Sequence, residues 1–251
     1  MRNNSYVIAA AICAATQSIP ATAALAPIGS DDFNDNSRLT ANWGTTTLSG
    51  VGQLLEDNQR LEYFTVDSPT GNDFAAWNWH RYGGVNNQSW TFQMDISLPD
   101  LALSPGQRVF IGLQVPKAGG NFFLYGNEET SSGRLFLAQS PSLNDNVAIT
   151  SDITALRLSF NGATGTMTAQ YDPNGPVGGY QWTTLGSDAS FGFPGTVTVF
   201  AGSANVSIAP TDLVFADNVV AVPEASTYGL MLVGLSLVGS ALYRRNRSPA
   251  S

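Results

Sequence analysis

Residues 90–98 read WTFQMDISL, and apolar and polar side chains alternate along the whole stretch. In an extended chain Trp90, Phe92, Met94, Ile96 and Leu98 share one face, and Thr91, Gln93, Asp95 and Ser97 share the other. That period of two specifies a half-buried strand. Residues 108–115 (RVFIGLQV) repeat it with Val109, Ile111, Leu113 and Val115. Further out, 60–66 (RLEYFTV) is bounded by Asp57-Asn58 and Ser68-Pro69. Residues 121–125 and 134–138 flank a Gly/Asn/Glu/Ser loop and read as a hairpin. Residues 157–160 and 166–171 surround 161–165 (NGATG), a second hairpin whose glycines supply the turn. Segments 196–201, 205–208 and 213–216 complete the set. Nothing of helical length and period precedes Tyr228. About ten antiparallel strands with alternating faces predict an all-β sandwich or jelly roll.

Composition agrees with many short strands and turns. Gly, Asn, Ser, Thr and aromatics are common, and only 12% of the chain is charged. Between Pro27 and Val222 there are seven basic and eighteen acidic residues. An excess of that sign excludes nucleic acid and anionic membrane surfaces as natural partners. About 200 residues form one domain with a sizeable core, 27–221, with a short tether expected around 216–224.

The two ends are hydrophobic. Arg2 precedes an apolar run at 6–15 (YVIAAAICAA), and Ala21-Thr22-Ala23 and Ala24-Leu25-Ala26 both suit cleavage, so 1–26 reads as a secretory signal peptide handled by the Sec translocon. Cys13, the only cysteine, falls inside that leader, which leaves the mature protein without disulfides or a thiol nucleophile. At the other end, residues 222–251 read VPEASTYGLMLVGLSLVGSALYRRNRSPAS. The uncharged run 228–243 would span about 24 Å as a helix against a bilayer core of about 30 Å. Its tyrosines and Arg244, Arg245 and Arg247 extend that reach at the headgroups, with the arginines on the cytoplasmic side. A buried core helix of similar length is the alternative, but the interior offers only Ser236 and Ser240 as a polar stripe. A Pro-Glu pair, a membrane helix and an arginine-rich end resemble the PEP-CTERM sorting signal of Gram-negative bacteria. Val222, Pro223, Glu224, Ala225 and Ser226 form the motif, its third position being Ala225 rather than Pro. The resemblance implies recognition and cleavage by an exosortase, a membrane-embedded cysteine protease.

The central domain carries a second resemblance. DDFND at 31–35, Asn42-Trp43 and QRLEY at 59–63 look like the opening strands of concanavalin A-like lectin/glucanase sandwiches. LRLSFNGATGTMTAQYDPNG at 156–175, Trp182 and Leu185-Gly186-Ser187 are similar to that superfamily's hairpin segment. FADNVVAV at 215–222 resembles its last strand, which pairs beside the first.

An enzyme on such a fold would most naturally be a glycosidase, which needs two carboxylates about 5–5.5 Å or roughly 6.5–9.5 Å apart. The Glu-x-Asp-x-x-Glu string of laminarinase-type glucanases does not occur in the chain. Glu128 and Glu129 would point to opposite faces, and a turn separates Glu56 from Glu62. His80 is the only histidine, so neither an acyl-transfer triad nor a His-based zinc site is indicated. Binding is better supplied. Sugar rings stack on aromatic faces while amides and charges read hydroxyls, and Trp77, Trp79, His80, Arg81 and Tyr82 offer both kinds of group. The alternative is that Trp77 and Trp79 fill the core. A structural calcium is a second candidate, at Asp31, Asp32, Asp35 and Asp217, with solvated caps and turns as the alternative. An EF-hand does not fit, since Ser37 stands where that loop needs Gly.

The expectation is an exported surface or matrix protein. It would be anchored transiently in the inner membrane through its C-terminal helix, then released to the cell surface or extracellular matrix. It would be non-catalytic and associated with extracellular polysaccharide, with a secreted glycan-processing enzyme as the alternative.

Overall fold

A computed structural model of the protein describes residues 26–224, apart from 69–70, 84–87, 118–120, 141, 190 and 192–195. The expected signal peptide, Ala225, Ser226, the apolar run 228–243 and Arg244, Arg245 and Arg247 fall outside the described residues, Ala26 excepted. The strands in chain order are β1 (Ala26–Pro27), β2 (Gly29–Asp31), β3 (Trp43–Ser49), β4 (Gly52–Asp57), β5 (Arg60–Thr65), β6 (Asn72–Trp79), β7 (Tyr82–Gly83) and β8 (Trp90–Ser97). They continue as β9 (Arg108–Lys117), β10 (Asn121–Thr130), β11 (Gly133–Ser140), β12 (Leu143–Ile149) and β13 (Ile153–Asn161). The last are β14 (Thr166–Asp172), β15 (Thr183–Asp188), β16 (Thr198–Ala204) and β17 (Phe215–Pro223).

They form two facing antiparallel sheets. One has seven strands in the order β12-β11-β10-β9-β16-β6-β3; the other runs β15-β14-β13-β8-β17-β5-β4, with β2 added against β17. A short β1-β7 pair lies beside them. The all-β sandwich expected from alternation is therefore present, and β2, which leads into the DDFND stretch, pairs with the last strand, Val219 opposite Asp31.

Alternation fixes what lies between the sheets. Trp90, Phe92, Met94, Ile96 and Leu98 are buried, as are Val109, Ile111, Leu113 and Val115 on β9 in the opposing sheet. Leu156, Leu158 and Phe160 of β13 and Val199 and Ala201 of β16 join them. Gly112 and Gly126 face each other across β9 and β10. A Cβ on either would collide with its partner strand's backbone, so only glycine allows the two strands this approach.

Several expectations are corrected. The tether at 216–224 is instead β17, an interior strand between β8 and β5, and it runs two residues beyond the expected boundary at Ala221. Its polar Asp217-Asn218 pair is accommodated by a bulge between Asp217 and Val220, with Asn218 at φ 50°, so the strand continues through residues that look like a linker. Segment 205–208 is not a strand. Of the strands longer than three residues, β3, β4, β6, β12 and β15 are not among those expected from the sequence. β3 and β12 are edge strands with mostly exposed, polar side chains, so alternation of apolar groups gives no signal there.

Candidate functional site

The polar face of β8 looks out of the eight-stranded sheet, and its neighbours determine what surrounds it. Register places Arg157 of β13 beside Gln93 and Gln170 of β14 beside Arg157. Arg157 Nε donates to Gln170 Oε1 at 2.9 Å, and Ser159 Oγ donates to the same oxygen at 3.2 Å. Asp172 ends β14 and organises the loop that follows, its carboxylate accepting the backbone N–H groups of Asn174 and Gln181. That loop turns through Gly175, Gly178 and Gly179, all at positive φ. It returns over the sheet and presents Tyr180 and Trp182, stacked at 5.1 Å with an interplanar angle of 16°. The Arg157 guanidinium lies 4.4 Å from the Trp182 ring centroid.

Asp95 anchors this aromatic pair. Tyr180 Oη donates to its carboxylate at 3.0 Å, and Asn218 Nδ2 donates at 2.9 Å from the bulge of β17. Burial pushes the Asp95 carboxyl up from its ordinary value, and the charge of Asp172 adds to this, while the two donors oppose it. Tyr180 remains 37% exposed. The result is a solvent-facing aromatic stack braced by buried polar groups, with Gln93, Arg157 and Gln170 alongside. In the sequence these residues figure only as strand or hairpin positions and, for Trp182, as part of a resemblance; none is singled out there for binding. Tyr180 and Trp182 are separated from Asp95 by more than eighty residues, and no local spacing signals their meeting.

The predicted aromatic stretch behaves otherwise. Trp77 and Trp79, at 3% and 0% exposure, point inward from β6 and cannot stack a ligand. They pack with Trp43 at 5.6 and 4.8 Å, and Trp79 meets Phe92 edge-on at 5.3 Å. This corrects the assignment of both to a glycan surface: strand parity sends them into the core. Tyr82 is also occupied internally, donating to the Trp79 carbonyl and accepting from Val197 N–H. His80 and Arg81 are exposed, on the chain just after β6, and Arg81 Nη1 donates to Asn42 Oδ1 at 3.3 Å. The five residues do not form one surface.

The acidic set comes together only in part. Asp31, Asp32, Asn34, Asp35 and Asn218 line a crevice of about 380 Å³ beside β17. Asp217, next to it on the bulge, feels the charge of Asp32. Yet Asp31 already uses both carboxylate oxygens, accepting from Phe33 N–H at 3.0 Å and Trp43 Nε1–H at 2.7 Å. Asp35 turns to Ser37 N–H and Asp217 to Asn218 N–H. Among the described residues no three His, Cys, Asp or Glu side chains are arranged to hold a metal ion. Turn and side-chain hydrogen bonds thus engage both Asp31 oxygens and one oxygen each of Asp35 and Asp217.

Beside this crevice Glu56 of β4 contacts Asp35. Burial pushes the Glu56 carboxyl up to about 7, helped by the hydrogen bond that its protonated form donates to Asp35 and by the charges of Asp31 and Asp35, against the Ser37 N–H that lowers it. Glu62 sits apart, buried against Arg60 at 2.6 Å.

Comparison with solved structures finds lectin- and glucanase-like sandwiches at low identity. A lectin from Bauhinia forficata in complex with GalNAc is 13% identical, over 78% of this chain and 98% of its own, with a TM-score of 0.46. A pseudo beta-1,3-glucanase and immunostimulatory antigen of Mycobacterium tuberculosis is 13% identical, over 80% of this chain and all of its own, with a TM-score of 0.47. A bifunctional GH43-CE protein of Bacteroides eggerthii is 14% identical with a TM-score of 0.46; the match covers 78% of this chain but only 26% of that protein's length. No curated protein sequence matches the chain. At the C-terminus, residues 221–248 match the PEP-CTERM protein-sorting motif. The chain therefore carries a PEP-CTERM sorting signal, which implies an exported protein processed by an exosortase and sorted to the cell surface.

Proposed function

We propose that the exported protein is a non-catalytic component of the cell surface or extracellular matrix, and that its sandwich holds extracellular polysaccharide on the outer face of the eight-stranded sheet. In this reading the signal peptide delivers the chain through the Sec translocon, and the run 228–243 anchors it in the inner membrane until processing. The observation that carries the binding role is the Tyr180–Trp182 stack, with the Arg157 guanidinium 4.4 Å from its indole. Aromatic faces and edges take up the C–H surfaces of sugar rings, and fixed amides beside them pair with hydroxyls. Gln93, Gln170 and Ser159 stand in the register positions to do so. The hydrogen bonds of Asp95 hold the platform before any ligand arrives, which lowers the ordering cost of binding.

A glycan array probed with the purified protein tests the assignment. Binding that Trp182→Ala weakens about tenfold or more, without release of reducing ends, supports it. Turnover abolished by Glu56→Gln would replace it with a glycan-processing enzyme. Absence of binding to any glycan would leave a structural matrix role.

A further inference from the structure

The sorting motif begins inside the folded sandwich. Its match starts at Ala221, and Ala221, Val222 and Pro223 are the last rungs of β17, opposite Phe92, Thr91 and Trp90 of β8. The ladder continues one residue further. Glu224 N–H donates to the Ser89 carbonyl at 2.8 Å, and Gln88 Nε2 donates to the Glu224 carbonyl at 3.1 Å. Ala221 is held on its other side as well, opposite Gly29 of β2, and is buried.

Successive amides of an antiparallel strand point to opposite edges. Since the Glu224 N–H points at β8, position 223 faces the other edge, on the side where β1 approaches β17, and proline has no N–H to leave unpaired there. Burial pulls the Arg157 guanidinium down from its ordinary value, and the Glu224 carboxylate opposes that shift. The motif's Pro-Glu pair thus has a structural use: proline leaves no unpaired N–H on the side away from β8, and the Glu224 backbone closes the ladder.

A protease needs main-chain groups of an extended segment free around the bond it cuts, which is why cleavage favours exposed, unpaired chain. Bonds from Val219 to Glu224 are not free in this way while the sheet is intact. Drawing them out would break the β8 ladder and uncover Val219 and Ala221. We infer that processing takes place C-terminal to Glu224, so that Val222, Pro223 and Glu224 remain as the end of β17, and that the folded sandwich sets this limit. The inference rests on the sorting signal being used. In the step itself the peptide bond beyond Glu224 breaks. Its acyl carbon passes to the protease nucleophile and then to the hydroxyl of water, while the amide nitrogen takes up a proton and leaves as the amino terminus of the tail.

The test is the mature C-terminus. The full-length chain is expressed in a Gram-negative host that carries an exosortase, and the exported product is analysed by intact mass and C-terminal peptide sequencing. The expected product ends at Glu224 or later. A terminus at Pro223 or earlier overturns the placement while upholding the sorting signal. An exported chain that stays full-length overturns both, and mass alone separates the two failures. Amide exchange on the full-length protein in detergent gives a second readout. The Glu224 amide is expected to exchange at least about tenfold slower than its free-peptide rate, and exchange at the free-peptide rate would overturn the inference.

Discussion

Asp35 and Glu56 accept the same backbone N–H, that of Ser37, at 2.9 and 2.8 Å. Burial, with the neighbouring Asp35 and Asp31 carboxyls adding to it, pushes the Glu56 carboxyl up to about 7 although the Ser37 N–H opposes the shift. An unfolded chain releases that proton near the ordinary glutamate value of 4.5. Between those limits the folded state holds a proton that the unfolded state has lost. The resulting stability is complete below about 4.5 and is lost as pH rises through about 7. Asp31, Asp95, Asp217, Glu128 and Glu129 are raised by burial as well and act in the same direction. Thermal unfolding should therefore give a higher Tm at pH 5 than at pH 8, and Glu56→Gln should flatten that slope. A Tm that rises with pH across this window would contradict the account.

The tryptophans should separate by function. Trp79→Ala removes a fully buried ring from the Trp43–Phe92 cluster and is expected to destabilise the fold by about 3–5 kcal/mol. Trp182→Ala should leave the denaturation midpoint nearly unchanged while weakening glycan binding. Equal effects of the two changes on stability would place Trp182 in the core instead.

Tyr180→Phe keeps the aromatic face and removes the donor to Asp95. The expected outcome is a loss of roughly 1–2 kcal/mol in denaturant unfolding, since a buried carboxylate loses one of its partners, with binding weakened less than by Tyr180→Ala. Identical binding losses for the two variants would argue that the hydroxyl, and not the ring, meets the ligand.

Arg134 joins three elements at the other end of the sandwich. It pairs with Glu129 at 3.2 Å, and its guanidinium also donates to the Leu98 and Thr150 carbonyls. Arg134→Ala leaves Glu129 buried without its cation and should cost about 3–5 kcal/mol. Asp152, the exposed partner, should lose less than about 1 kcal/mol on conversion to Asn. Calorimetric or denaturant melts that show similar losses for both would refute this ranking.

Turn and side-chain hydrogen bonds already engage both Asp31 oxygens and one oxygen each of Asp35 and Asp217, so calcium is expected to leave the protein unaffected. Melting in millimolar calcium and in chelator should agree within error. A bound ion present at a hundred times its Kd would add about 2.7 kcal/mol, a shift that this comparison would detect.

Alternation along 90–98 and 108–115 was sufficient to give two core strands and their inward faces, because nearly all the apolar side chains there share one parity. The same rule sends Trp77 and Trp79 inward, but sequence parity alone does not say which face of a strand is the buried one. β3 and β12 were illegible for a related reason: edge strands with polar faces carry no apolar alternation. The PEP-CTERM signal was legible in the tail because it is contiguous chemistry of Pro, Glu, an apolar run and arginines.

By itself, then, the sequence determined that the chain is an all-β, acidic domain bearing a sorting signal, since periodicity, composition and contiguous motifs are local properties. Only the tertiary structure decided that Asp217 and Asn218 belong to an interior strand and that the motif's first residues complete that strand. It also decided that Asp95 meets Tyr180 across eighty-five positions of chain. Each of these is a pairing between distant segments, chosen by strand register and core packing rather than by any residue's near neighbours.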